Sequence, residues 1–137
     1  MDSLSPLRRS ENMRRIRSRH TSPELAARKI VSSLGFQCSL HGRDLPGKPD
    51  LVFRTRKKAV FVHGCFWHLH GNCPDGRIPR SRRSYWKPKL ERNVSRDRLN
   101  RRRLNRLGWR TLTVWECQIE RRPESVARRL RRFLEVG

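Results

Sequence analysis

Between His63 and Cys73 the chain crowds three histidines, two cysteines and two aromatics into eleven residues. No ordinary core strand needs that chemistry. Cys65-x4-His70-x2-Cys73 offers thiolate and imidazole ligands at spacings that can close a loop round one ion. A structural zinc site takes four such ligands in a tetrahedron, so a fourth must come from elsewhere. Cys117 is the nominee, because it follows the apolar run Trp109–Trp115 and so falls at the end of an expected strand. Cys38 lies within an expected strand and reads as a small buried apolar residue. Cysteines clustered with histidines favour a reduced, metal-binding, cytoplasmic setting over disulfides.

A second constellation is built on oxygen and nitrogen. Pro49-Asp50 opens a strand after a loop rich in glycine and proline, and a second strand about ten residues on ends at His63. Metal-assisted phosphodiester hydrolysis needs a hard oxygen ligand, an activated water and a group that stabilises the leaving oxygen. Asp50 is the candidate ligand for magnesium. His63 and His68 are candidate acid, base or phosphate-stabilising groups. Asp97 is acidic within a basic helix; it either orients a histidine or pairs with a neighbouring arginine on the surface. Glu24 reads as a helix cap, with a supporting role at the site as the alternative.

The surroundings of these residues are strongly basic. Thirty-four Lys+Arg against 12 Asp+Glu leave a net charge of +22, spread along all 137 residues. Such a field points to a polyanionic partner, nucleic acid first and an anionic membrane surface second. No segment approaches the roughly 20 apolar residues that span a bilayer. The N-terminus also lacks an apolar signal core. The length fits one domain.

The elements that must position the chemistry follow from periodicity and punctuation. Residues 6–19 predict a short basic helix, with Met13 and Ile16 three apart on one face. They form either a solvated arm resting on the core or an arm against DNA, its arginines on phosphates and Met13 and Ile16 wedged at the bases. Thr21-Ser-Pro-Glu24 has the form of a capping box. The helix it starts should run to about Leu34, with Leu25, Ile30, Val31 and Leu34 inward and Gly35 ending it. Strands are expected over Phe36–Leu40, Asp50–Phe53, Ala59–Val62 and Trp109–Val114, the middle two as a hairpin. Helices are expected from Pro88 to about Leu107, with Leu90, Val94, Leu104 and Leu107 inward, and from Pro123 to Leu134. Mixed α and β elements in this order predict a mixed sheet flanked by helices.

Aromatic placement divides into two kinds. Trp109 and Trp115 read as core. Phe66 and Trp67, on a tight loop, are expected to have little core to reach, and Trp86 stands at a helix start. They suit stacking between bases in an opened duplex.

Four blocks in this order carry a family resemblance: Leu45-Pro-Gly-Lys-Pro-Asp50, His63-Gly-Cys-Phe-Trp-His68, Asn93-Val-x-Arg-Asp97, and Gly108-Trp-Arg with Val114-Trp-Glu-Cys117. Together they resemble the very short patch repair (Vsr) mismatch endonucleases, over nearly the whole chain. The resemblance implies a restriction-endonuclease-like fold (PD-(D/E)xK-related), with residues 1–20 as a DNA-clasping arm and 21–137 as the catalytic domain. It implies a strand-specific nick beside the thymine of a T·G mismatch that arises from deaminated 5-methylcytosine. The functional links would be to a cytosine-5 methyltransferase and to mismatch-repair proteins. Asp50 and the Val62 backbone carbonyl would hold magnesium, and His68 would act on the attacking water. His63 would support the phosphate, Asp97 would pair with one of these histidines, and Glu24 would lie near the site. Cys65, His70, Cys73 and Cys117 would hold a structural zinc. Phe66, Trp67 and Trp86 would intercalate, with the Met13 and Ile16 arm on the minor-groove side. Two departures stand out: Val62 replaces a common threonine, and Leu69-His70-Gly71-Asn72 replaces a histidine-rich run. Without the resemblance, three other readings remain: a promiscuous mismatch nickase, a restriction-type nuclease, and a zinc-stapled DNA-binding module that does not cut. A monomer is expected, since one mismatch offers no two-fold symmetry.

Overall fold

The structure, a computed structural model, describes residues 22–136. The expected arm over residues 6–19, with Met13 and Ile16, and the Thr21 half of the capping box lie outside them. Ten elements follow in order: α1 (Ser22–Ser33), β1 (Ser39–Leu40), β2 (Leu51–Phe53), a 3-10 turn (Arg54–Arg56), β3 (Lys58–His63), a second 3-10 turn (Pro74–Gly76), α2 (Arg83–Arg106), β4 (Arg110–Trp115), α3 (Glu116–Arg121) and α4 (Pro123–Glu135).

The strands form one mixed sheet in the order β1-β2-β3-β4. β1 and β3 both pair antiparallel to β2, while β4 pairs parallel to β3 from Lys58↔Arg110 to His63↔Trp115. Parallel pairing demands a long crossover, and α2 is that crossover. Side chains alternate across each strand. Leu51, Phe53, Val60 and Val114 point to one face and bury against Ala27 and Val31 of α1, Ile119 of α3, and Val126, Leu130 and Leu134 of α4. Val52, Ala59 and Phe61 alternate to the other face and are also buried, on the side where α2 runs along β4.

Several expectations are corrected. Leu25 is exposed, not inward, because α1 buries Glu24, Ala27 and Val31, and that face turns Leu25 to solvent. The first strand shrinks to Ser39–Leu40; β2 is only three residues long, so Phe36–Cys38 have no edge to pair with. Cys38 stays half-buried against the main core. α2 begins at Arg83, five residues before the expected start, and takes Pro88 inside it. Trp86 and Leu90, one turn apart, bury together on Phe66. That packing outweighs the bond that Pro88 cannot give. Leu107 is exposed at the helix end, where Leu104 alone reaches the core. Gly35 and Gly108, at φ +88 in both cases, end α1 and α2 as expected. The short α3 is an addition; Gln118 reaches back to the Trp115 N–H at 3.2 Å and caps it.

One buried charge ties the far end of the sheet to α4. Lys58, 1 % exposed, donates through Nζ to the Phe133 carbonyl at 2.5 Å and to the Val136 carbonyl. Arg56 donates to the Leu134 carbonyl at 2.8 Å. The last carbonyls of a helix lack partners within it, and cations there also meet the negative end of its dipole. Lys58→Met keeps the apolar stem and removes the donors. It should lower the unfolding free energy by about 1–3 kcal/mol, read as a lower urea midpoint at unchanged slope; an unchanged midpoint would mean that water replaces the ammonium.

Candidate active site

The parallel pairing ends both β3 and β4 at one edge, and the chemistry collects just past it. Cys65 follows β3 by two residues, and Cys117 stands in the first turn of α3 after β4. Cys65, His70, Cys73 and Cys117 bring their ligand atoms within 4.8 Å of one another. His70 Nδ1 lies 3.6 Å from Cys65 Sγ and 3.4 Å from Cys117 Sγ. A tetrahedron with Zn–S bonds of about 2.3 Å and Zn–N bonds of about 2.0 Å has S–N edges of about 3.5 Å, so the donor set and its spacing fit a zinc ion. Burial raises the Cys65 and Cys117 thiols and lowers the His70 imidazole. Each shift disfavours charge until a cation is present. The loop is closed by His70 N–H on the Cys65 carbonyl at 3.0 Å. Cys38 takes no part in the cluster.

Trp115 separates this cluster from a second one. Its ring stacks on His70 at 4.1 Å and meets His63 edge-on at 5.1 Å. It therefore serves as a partition, half-buried, where core had been expected. Beyond it His63, His68 and Asp97 gather within 4.8 Å. Asp97 comes from α2, and its Oδ2 lies 2.5 Å from His68 Nδ1. An ionised carboxylate only accepts, so Nδ1 carries the proton and Nε2 is left as an acceptor. His63 is buried and stacks on His68, ring centroids 3.7 Å apart and 5° from parallel. Its Nδ1 has no hydrogen-bond partner among the described residues. Burial, with His68 beside it, pulls the His63 pKa down to about 3. His63 is thus neutral at pH 7 and offers a dipole in place of a charge.

The acidic side of the cleft is set by the β2–β3 register. Asp50, immediately before β2, receives the Val62 N–H on Oδ2 at 2.6 Å. Burial, aided by the charge of Glu24, raises the Asp50 carboxyl to about 6, with the Val62 bond opposing the rise. Glu24 is 4 % exposed on the inner face of α1. Arg28, one turn along, donates to it, and His41 Nε2 lies 3.1 Å from both of its oxygens. Two carboxylates beside each other, one driven toward protonation, form a donor set that suits a hard divalent cation.

Glu24, Asp50, Val62, His68, Asp97 and Trp67 all line one open cleft of roughly 1000 Å³. Arg43, Lys48, Lys89, Arg92 and Arg96 line it as well, so its walls are positive around the acids. His63 sits behind His68. Phe66 and Trp67 correct the sequence reading, which expected little core at this loop. They and Trp86 form a second apolar cluster with Leu90, Leu69 and Ile78. Their rings meet edge to face at 5.3, 5.3 and 5.9 Å. His41 and Glu116 were missed as site residues. Glu116 lines the cleft and accepts the Cys65 N–H at 3.4 Å. The available signal for it was its place beside Cys117. For His41 it was a polar residue one position past a strand end, in a loop that leads to Asp50.

Comparison with known proteins follows the same outline. The family model for the DNA mismatch endonuclease Vsr matches residues 1–74. The chain is 48% identical over 118 residues to the type II nicking enzyme V.XorIIP of Xanthomonas oryzae pv. oryzae, covering 86% of each chain. It is 39% identical over 127 residues to the DNA mismatch endonuclease Vsr of Escherichia coli, covering 93% of this chain and 81% of that one. To the type II nicking enzyme V.NmeAIP of Neisseria meningitidis it is 37% identical over 119 residues, covering 87% and 84%. The chain belongs to the Vsr family.

The raised Asp50 carboxyl has a consequence for stability. Its folded pKa of about 6 lies above the ordinary 3.8. The stabilisation it carries is therefore full below about pH 4 and is lost as pH rises through about 6. Asp50→Asn never ionises, so it should gain on the native protein across that window, by roughly 3 kcal/mol at pH 8. Urea midpoints of both proteins between pH 4 and 8, without added magnesium, check this. Curves that run parallel across the window would show that Asp50 is not perturbed.

Proposed function

We propose that this protein is a magnesium-dependent endonuclease that nicks one strand of duplex DNA beside the thymine of a T·G mismatch, starting repair of deaminated 5-methylcytosine. The observation that carries the reading is the His68–Asp97 pair facing the Asp50–Glu24 carboxylates within one positively lined cleft. The relatives named as a mismatch endonuclease and as nicking enzymes point the same way. On this reading the mixed four-stranded sheet, with its acid at the start of a hairpin, is of the restriction-endonuclease kind. Residues 1–20, Met13 and Ile16 among them, are the clasp on the minor-groove side, and the protein acts as a monomer. The reaction that creates its substrate is cytosine-5 methylation followed by deamination, and mismatch-repair proteins act on the same lesions. Among the described residues no helix is long and apolar enough to cross a membrane, and the cytoplasm is the proposed compartment.

Magnesium bound by Asp50 and the Val62 carbonyl would supply Lewis-acid stabilisation of the phosphate. His68, its Nδ1–H held by Asp97, accepts through Nε2 the proton of the attacking water as the water oxygen bonds to phosphorus and one backbone P–O bond breaks, the leaving sugar oxygen taking a proton from solvent. His63, expected to support the phosphate, is buried behind His68 and acts through the His68 ring on which it stacks. Its low pKa prevents it from competing with His68 for the proton. Arg92, Arg96 and Lys48 hold the backbone by charge. Trp67, backed by Phe66 and Trp86, is the apolar wedge at the opened base step. Cys65, His70, Cys73 and Cys117 would hold zinc, which would fix the loop that carries this wedge and His68.

The test is nicking of end-labelled duplexes, matched and T·G-mismatched, each strand labelled in turn, with magnesium and in several sequence contexts. One nick beside the thymine, absent from matched DNA, is the expected result. Cutting of both strands in matched DNA would move the reading to a restriction-type nuclease, equal nicking of all mismatches to a promiscuous nickase, and binding without cutting to a DNA-binding module. Asp97→Asn turns an amide to His68 and disturbs its tautomer. It should slow single-turnover nicking by ~10³-fold with duplex affinity unchanged; a loss under threefold would remove Asp97 from this role.

The zinc assignment has its own readout. Purified protein should contain one zinc per chain by elemental analysis, and Cys73→Ser should lose it. Structural zinc is coupled to folding, so the same variant should melt earlier. A Cys73→Ser protein that keeps its zinc and its melting point would refute the ligand set.

A further inference from the structure

We propose that His41 is a positioning residue that locks the Glu24 and Asp50 carboxylates into one divalent-cation site, gripping one with its ring and the other with its backbone. The inference deepens the magnesium site proposed above and rests on that reading. His41 stands one residue past β1 in the left-handed conformation, φ 51. A residue with a Cβ seldom adopts it, and here two bonds hold the chain in place. The His41 N–H donates to the Asp50 carbonyl at 3.0 Å, and the next N–H, of Gly42, donates to the Pro49 carbonyl at 2.9 Å. The backbone of His41 is thereby fastened to the residue that carries the proposed magnesium ligand.

The ring turns the other way. Nε2 lies 3.1 Å from both oxygens of Glu24, which arrives on α1, seventeen residues earlier. A carboxylate accepts, so Nε2 carries the proton and donates. Arg28 also donates to Glu24, but from the same helix. Arg28 can balance the charge of Glu24 without fixing its distance from β2. His41 crosses from the helix to the sheet edge and sets that distance. The need is electrostatic, since two carboxylates are held side by side, and the charge of Glu24 adds to the rise that burial imposes on the Asp50 carboxyl. The His41 bond therefore adds a cross-element hold that keeps Glu24 turned toward the sheet edge and Asp50. His41, Glu24 and Asp50 line the same cleft.

The experiment titrates magnesium in single-turnover nicking of a T·G duplex by the full chain and by His41→Ala, His41→Gln and Asp50→Ala. Glutamine has an amide N–H able to reach the same carboxylate, and it bears the same backbone cost at φ 51 as alanine. The difference between the two variants therefore reports the ring's hydrogen bond. His41→Ala should raise the half-saturating magnesium concentration about tenfold or more, with duplex affinity in EDTA within twofold of native. His41→Gln should recover most of that loss. An unshifted magnesium midpoint in His41→Ala would overturn the proposal. So would equal loss in both variants accompanied by equal drops in urea midpoint, since His41 would then merely brace the fold. Asp50→Ala reports separately on the underlying site: if it nicks normally, the magnesium reading itself fails, whatever His41 does.

Discussion

The parallel pairing of β3 with β4 is the constraint on which the rest depends. It aligns His63 with Trp115 across the ladder, so the two chain segments that leave the sheet do so side by side. Cys65 and Cys117 meet because of that register. A slip of one residue would send Trp115 to the opposite face and remove the partition between the two clusters. The same pairing requires a crossover, and α2 supplies it along the sheet face to which His63 points. Asp97 therefore reaches His68 from the connection itself. Both chemical centres are products of a single βαβ-like unit.

The charge distribution follows a similar economy. Of 12 acidic residues in a chain of net charge +22, Glu24, Asp50, Asp97 and Glu116 all line the cleft. These four make a small negative spot inside a positive rim. A polyanion is drawn by the rim, and a cation by the spot. Burying the Asp50 carboxylate, with the charge of Glu24 beside it, costs stability in the cation-free protein, and the raised Asp50 carboxyl reflects both. A functional site that destabilises its own fold is a common arrangement.

Much of this could be read from the residues alone, and the limits have physical causes. Short spacing within one loop showed Cys65, His70 and Cys73, and the strand preceding Cys117 showed where the fourth donor would arrive. The β2–β3 hairpin was visible because its two strands are separated by a short basic turn. Helix edges were less visible. Pro88 suggested a start that Trp86 and Leu90 overrode by packing on Phe66, a contact between residues twenty or more apart in sequence. Leu25 and Leu107 are apolar at helical spacing, yet the buried face of α1 carries Glu24 instead. A carboxylate on an inner face breaks the hydrophobic pattern, and its partners, His41 and Asp50, are distant in the chain. Periodicity sees neighbours on one element; it does not see a hydrogen bond that crosses between two.

In the proposed reaction the aromatic cluster serves two ends with one packing arrangement. A wedge that splits a base stack must not bend when loaded. A tryptophan on a free loop would lose much side-chain entropy on insertion and gain correspondingly little. Trp67 instead faces the cleft with Phe66 at its edge and Trp86 behind it, and Leu90 of α2 closes the group. Asn93 of α2 also donates to the Trp67 carbonyl at 3.1 Å, so backbone and ring are both held. The loop therefore has its own small core, with the Cys65–His70–Cys73–Cys117 cluster at its base. In the proposed reaction that rigidity is what allows Trp67 and His68, adjacent in sequence, to meet the duplex at a fixed separation: one at the base step, the other at the phosphate to be cut.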